Sequence, residues 1–168
     1  DIRKIDKGQM HLKFRETDIV GFVDDLMQTF DYQAQKKSIS FCFTTNLGNN
    51  PADNSEREDH PTTKKELKAW VDLNNFDKVL LNVLSNAFKY TPQGRQIKVI
   101  VQEKENNAII AIEDQGIGIA ENKQQSLFIR FENLVDRNLF NQASTGIGLS
   151  LVKELIDMHH GKIDIYSK

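Results

Sequence analysis

An α/β fold, with one sheet covered on one face by helices, is predicted by three observations. Runs that alternate apolar and polar residues are interspersed with runs of helical periodicity, rather than segregated into blocks. The 168 residues suit a single domain. A composition 39% hydrophobic and 27% charged supports a packed core and argues against disorder.

Each element follows in chain order. "DIRKID" at 1–6 has the character of a helix end, stopped by Gly8. "QMHLKFRE" alternates as a short strand with Met10, Leu12 and Phe14 on one side. Thr17 or Asp18 is the expected cap of a helix through about Lys37, whose stripe is Ile19, Phe22, Val23, Leu26, Thr29 and Phe30. "SISFCFTTNL" is a strand with Ile39, Phe41 and Phe43 on one face. Residues 48–66 hold two prolines and few apolar residues, as a solvated loop or hairpin tip does. The strand "KAWVDL" follows, then a helix capped by Asn74 or Asn75 that runs to about Tyr90. Pro92 and Gly94 end it. "RQIKVIVQEKE" and "NAIIAIED" are strands joined by a tight "NN" turn. Residues 115–145 are irregular, with one helical piece around "QQSLFIRF". A strong helix runs from about Gly148 to His159, halted by Gly161, and "KIDIYS" is the expected last strand.

With 22 basic and 24 acidic residues the net charge is −2, so global charge gives no reason to expect nucleic acid or an anionic membrane as partner. The single cysteine, Cys42, excludes an internal disulfide and suits a reducing compartment. No run approaches the ~20 apolar residues of a membrane span, and no signal peptide opens the chain. The chain opens on Asp1 without a Met, as an excised piece of something longer does.

The chemistry concentrates in three places. In "NVLSNAFKY", with Asn82 at zero on a wheel of ~100° per residue, Asn86 falls near ~40° and Lys89 near ~340°, while the apolar residues occupy ~100–260°. The ribbon so formed is either a plain solvated stripe or a site for Mg²⁺ and phosphate, because amide oxygens are hard neutral ligands and lysine is a compact cation. "DQGIGI" follows a strand and "TGIGLSLV" opens a helix. Glycine turns let backbone approach a ligand, and a helix N-terminus seats phosphate. Either turn alone could be ordinary. A Walker loop, a complete G-x-G-x-x-G and the protein-kinase signatures are all absent.

The order "NVLSNAFKYTP", "DQGIGI", "LFIRF", "TGIGLSLVKELIDMHHGKI" resembles the N, G1, F and G2 boxes of the ATP-binding domain of sensor histidine kinases, members of the GHKL superfamily that act in two-component systems. The resemblance covers about residues 1–168 and is strongest from Asp77 onward. It implies the Bergerat ATP-binding fold, a two-layer α/β sandwich whose mixed β-sheet is covered on one face by about three helices. Residues 1–8 would end the dimerisation and phosphotransfer helix pair, and 9–168 would be the catalytic domain.

By the same resemblance Asn86 would ligate Mg²⁺ with Asn82 beside it, Lys89 would approach the phosphates of ATP, and Tyr90 would wall the nucleotide. Asp114 would bind the adenine amine, with Gly116 and Gly118 shaping the pocket. Residues from about Ile119 to Thr145 would form the ATP lid, anchored by Phe128 and Phe131, and Gly146, Gly148 and Leu149 would bring backbone near the phosphates. Related ATP hydrolases place a glutamate base at the position of Asn82. An amide cannot take a proton from water, so the resemblance implies γ-phosphoryl transfer to a histidine rather than hydrolysis. His11, His60, His159 and His160 lie in no H-E-x-x-x-P-like helix, so the acceptor is expected upstream of Asp1. The implied partners are that upstream dimerisation domain and a response regulator, with this chain itself monomeric and the setting a cytoplasmic domain of a membrane-anchored sensor. A nucleotide-binding scaffold and a related ATPase are the competing readings. Four departures from the pattern stand out: Ser144 and His160 where glycines are usual, a long 48–66 loop, and a chain that stops before the closing strand.

Overall fold

Two aspartate caps start the two helices that organise the chain. The computed structural model describes residues 10–47, 66–124, 126–129 and 148–167; the readings made on 1–9 and on most of the 48–66 loop lie outside these. The elements are β1 (Arg15–Asp18), α1 (Ile19–Gln28), α2 (Asp31–Lys36), β2 (Ser40–Asn46), β3 (Lys68–Val71), α3 (Leu73–Tyr90), β4 (Gln96–Lys104), β5 (Asn107–Asp114), α4 (Glu121–Gln124) and α5 (Gly148–Met158).

Asp18 caps α1 by accepting the N–H groups of Val20 (3.1 Å) and Gly21 (3.0 Å), as its short acceptor suits. It also accepts Leu67 N–H at 3.2 Å, tying the approach to β3 into the cap. The expected helix through Lys37 breaks at Thr29, whose hydroxyl and N–H both turn back to Leu26 O. The break lets Phe30 drop into the core, 4% exposed, where it stacks on Phe88 with ring centroids 5.2 Å apart.

The cap of α3 is Asp72, not Asn74 or Asn75. Its carboxylate accepts Asn75 N–H at 3.2 Å. The apolar wheel of this helix is as expected where it meets the core: Leu80, Leu84, Ala87 and Phe88 are buried. Leu81 packs against that core from a half-buried position, and Val83 packs against a second cluster.

Strand β2 pairs parallel with β4, and β4 pairs antiparallel with β5, giving a mixed three-stranded sheet in the order β2-β4-β5. Its inner face, Phe41, Phe43, Ile97, Val99, Val101, Ile110 and Ile112, packs against α1 and α3. The first strand lies at 15–18 rather than 9–16, and pairs with β3 as a separate two-stranded ladder. The β4–β5 turn is Glu105-Asn106 rather than "NN"; both take positive φ (50° and 62°), the type I′ geometry that matches strand twist.

Both α2 and α5 end in a Schellman motif built on a residue other than glycine. After α2, Ser38 has φ 50°, with Ser38 N–H to Gln35 O and Ile39 N–H to Ala34 O. After α5, His160 has φ 59°, with His160 N–H to Asp157 O and Gly161 N–H to Ile156 O. The stop of α5 is therefore His160, one residue before the glycine expected to halt it. Residues 161–167 form no strand. Their end is held by the turn after β5 instead: Ser167 Oγ accepts Ile119 N–H at 2.8 Å, and Gln124 Nε2 bridges Ile119 O and Ser167 O.

Candidate functional site

The polar ribbon of α3 borders the seam between α3 and α5. That seam is a second apolar cluster of Val79, Val152 and Leu155, joined by Val83, Leu151, Ile156 and Met10. Asn82 lies at its edge. Its Nδ2 donates to Lys78 O one turn back at 2.7 Å, which fixes the amide and turns Oδ1 outward. The oxygen faces Gly148, the first residue of α5: a Cβ built there would lie 2.8 Å from it. Asn86 is half-buried, one turn beyond Asn82.

The C-terminal end of α3 meets the turn after β5. A Cβ at Gly116 would lie 2.5 Å from Asp114 Oδ1 and 3.0 Å from Tyr90 O, so only glycine lets the turn pass here. Gly116 N–H donates to Asp114 Oδ1 at 2.8 Å, which orients the exposed carboxylate. Gly118 needs its glycine for a different reason, a φ of 72°. Lys89 Nζ stands 5.3 Å from the Tyr90 ring centroid, a cation–π contact at the rim. An open hollow of about 530 Å³ lies alongside, lined by Ile117, Gly118, Ile119, Ala120, Glu121, Gln124 and Ser167.

The structure thus brings Asn82 to Gly148, a contact the sequence did not suggest, and Tyr90 to Gly116 beside Asp114. Leu149 follows Gly148 in the half-buried first turn of α5. Phe128 is half-buried in a turn at 126–129, not in the helix expected near "LFIRF"; the helical piece is α4, earlier in the chain. Phe131, Thr145 and Gly146 lie outside the described residues, as does most of the expected lid.

A knot that the sequence reading missed holds the far end of the same two helices. Asp72 Oδ2 accepts Lys13 N–H at 2.7 Å, and Asp72 N–H donates to His159 Nε2 at 3.1 Å. With Nε2 accepting, the proton sits on Nδ1, which donates to Leu155 O at 2.7 Å. Phe14 and Phe76 flank the imidazole, each with a centroid separation of 5.5 Å. Burial raises the pKa of Asp72, but the bonds from Lys13 N–H and from Asn75 outweigh it and hold the carboxyl below its ordinary value of 3.8. An Asp directly before "LNNF" was the available signal.

Among the described residues no three His, Cys, Asp or Glu side chains converge as a metal cluster. A divalent cation at α3 would draw on amide oxygen, phosphate and water, a set that suits Mg²⁺. The residues fit a nucleotide in kind: a carboxylate with one oxygen already oriented, an aromatic wall, a cation, and a helix N-terminus whose first N–H groups have no intrahelical acceptor. No helix of the described residues is long and apolar enough to cross a membrane.

Known proteins resemble this chain in sequence and in fold. Residues 71–168 match the family described as histidine kinase-, DNA gyrase B- and HSP90-like ATPase. The chain is 34% identical to the sensor histidine kinase TmoS of Ectopseudomonas mendocina over 98% of its own length and 15% of that protein's. It is 39% identical to the circadian input-output histidine kinase CikA of Thermosynechococcus vestitus over 58% of its length and 13% of that protein's. The chain thus spans a small part of these relatives. Among solved structures, the catalytic domain of histidine kinase ThkA superposes with a TM-score of 0.68 at 22% identity, covering 87% of this chain and 81% of that one. ThkA in complex with the response regulator protein TrrA gives 0.66 at 21% identity, covering 95% and 40%.

Proposed function

Because the chain belongs to the family of histidine kinase-, DNA gyrase B- and HSP90-like ATPases, we propose that it binds ATP with Mg²⁺ and transfers the γ-phosphoryl group to a histidine on a dimerisation domain of the same parent protein. One observation carries the reading. The amide ribbon of α3, the carboxylate turn after β5 and the N-terminus of α5 meet through Asn82–Gly148 and Tyr90–Gly116 contacts.

Asp114 receives the exocyclic amine of adenine. Its Oδ1 is engaged by Gly116 N–H, so Oδ2 is the acceptor offered to the base. Tyr90 walls the nucleotide and Lys89 meets phosphate. Asn86 holds Mg²⁺ through its amide oxygen, and the first N–H groups of α5, from Gly148 and Leu149, face the phosphates. Mg²⁺, when bound, supplies positive charge to phosphoryl oxygens. The chain's own residues then bind and align, which is most of what phosphoryl transfer asks of a protein. The bond between the γ-phosphorus and the β–γ bridging oxygen breaks, ADP leaves with the electron pair, a P–N bond forms to the acceptor imidazole, and the imidazole proton is released to solvent. Asn82 carries no basic oxygen for activating water, which favours transfer over hydrolysis. A response regulator is the partner proposed to take the phosphoryl group onward, as the pairing of ThkA with TrrA supports by analogy.

The test joins this chain to its upstream helix pair with radiolabelled ATP. Acid-labile, base-stable label is expected on the upstream histidine. Asn86→Asp and Asp114→Ala are each expected to abolish it with the fold retained. Transfer that persists in either variant rejects the site, and steady ATP hydrolysis without phosphoprotein rejects the reaction.

A further inference from the structure

We propose that Asn82 is a positioning residue that works through Gly148: its amide sets how the N-terminus of α5 stands against the ribbon of α3. The proposal rests on the nucleotide reading above and adds to it. Asn82 Nδ2 is committed to Lys78 O at 2.7 Å, so rotating the amide out of the way costs that hydrogen bond. Its Oδ1 occupies the space that a side chain at position 148 would need, 2.8 Å from an ideal Cβ there, with Cγ at 3.7 Å. Among the described residues, and its chain neighbours and own helix backbone aside, Asn82 supplies the atoms within 4 Å of that Cβ position. The glycine at 148 is therefore explained by one side chain on another helix. The amide oxygen also lies at the positive end of α5, where a partial negative charge is favourable. Val79 and Val83 on α3 and Leu151, Val152 and Leu155 on α5 close the seam just beyond, so the contact is a spacer at the open end of a packed interface. The spacer fixes where the first N–H groups of α5 point, and with them the seat offered to a triphosphate.

The experiment uses the 168-residue chain as wild type, Gly148→Ala, Asn82→Ala and the double variant. Each is titrated with ATP in Mg²⁺ and, separately, with adenosine. Gly148→Ala is expected to weaken ATP about tenfold, one overpacking contact's worth, and to leave adenosine unchanged. Once Asn82 is shortened, the same alanine is expected to cost nothing, so the double variant binds ATP as Asn82→Ala alone does. An equal penalty in both backgrounds, no penalty in the wild type, or a parallel loss of adenosine overturns the proposal. Should Gly148→Ala fail to fold, recovery of folded protein on adding Asn82→Ala is the same result read by circular dichroism. Failure of both variants to fold overturns it. If the wild type binds no ATP, the nucleotide reading fails, and the seating of a triphosphate fails with it. The Asn82–Gly148 coupling is then still decided by melting temperatures, which must fall for Gly148→Ala only when Asn82 is present.

Discussion

Replacing His160 with glycine should stabilise the protein. His160 is the left-handed residue of the Schellman motif that ends α5, at φ 59°. An L side chain in that region costs about 1–2 kcal/mol, and histidine, which visits it more readily than most, sits at the low end. Glycine removes this cost but adds unfolded-state freedom worth about 0.4–1 kcal/mol. The imidazole of His160 is exposed, so its deletion forfeits no packing. The net gain is up to about 0.6 kcal/mol, or a rise in Tm of up to about 2 °C for a chain of this size. Thermal melting and urea unfolding measure it, with the m-value expected unchanged. The same site gives a graded check: glycine above asparagine, asparagine above the native histidine, and valine lowest. A lower midpoint for His160→Gly, or a valine variant as stable as the wild type, would refute the claim that backbone conformation governs this position.

Four further outcomes follow from the contacts above. Asp72→Ala removes a helix cap worth about 1 kcal/mol and an acceptor for Lys13 N–H worth about 1.5–3 kcal/mol, so urea unfolding should show a loss of about 2.5–4 kcal/mol. Because the folded carboxyl of Asp72 titrates below 3.8, its contribution is complete above that value and is lost as pH falls through the lowered folded pKa. Asp72→Asn should flatten the acid limb of the stability–pH profile there, and an unchanged limb would count against the linkage. Gly116→Ala drives a methyl group against Asp114 Oδ1 and the backbone carbonyl of Tyr90, 2.5 and 3.0 Å away. It should weaken adenosine and ATP alike by about tenfold or more, unlike Gly148→Ala; undiminished adenosine binding would remove Asp114 from the base site. Thr91 is 1% exposed and its hydroxyl has no hydrogen-bond partner among the described residues, so Thr91→Val should raise stability by about 1 kcal/mol in denaturant titration.

What the sequence conveyed was periodicity, and what it withheld was geometry between distant residues. The two faces of α3 were legible because burial follows the wheel, and the strands 40–46 and 107–114 because alternation matches a half-buried sheet. The break at Thr29 was not, since Phe30 leaves the helical stripe only to stack on Phe88, 58 positions away (88 − 30). The cap of α3 was misplaced because three candidates, Asp72, Asn74 and Asn75, lie within four positions, and only Lys13 and His159 select the first. The last strand failed because "KIDIYS" alternates well, yet the hydrogen bonds at its end go to Ile119 and Gln124. At the site, residue types gave Asn82, Asp114 and the glycines, but not that Asn82 answers to Gly148.

The tight turn at Glu105-Asn106 also bears on the order in which the molecule assembles. It lets Lys104 meet Asn107 with almost no loop to close, whereas Ser40 reaches Gln96 across 56 positions (96 − 40). The β4–β5 hairpin can therefore form early, carrying Asp114 into register with Ile97 while α3 is still undocked. The halves of the cleft proposed to take the base and the phosphates would then mature at separate stages, and pulsed hydrogen exchange would find the amides of Lys98 and Ile100, which face β5, protected before those at the seam of α3 and α5.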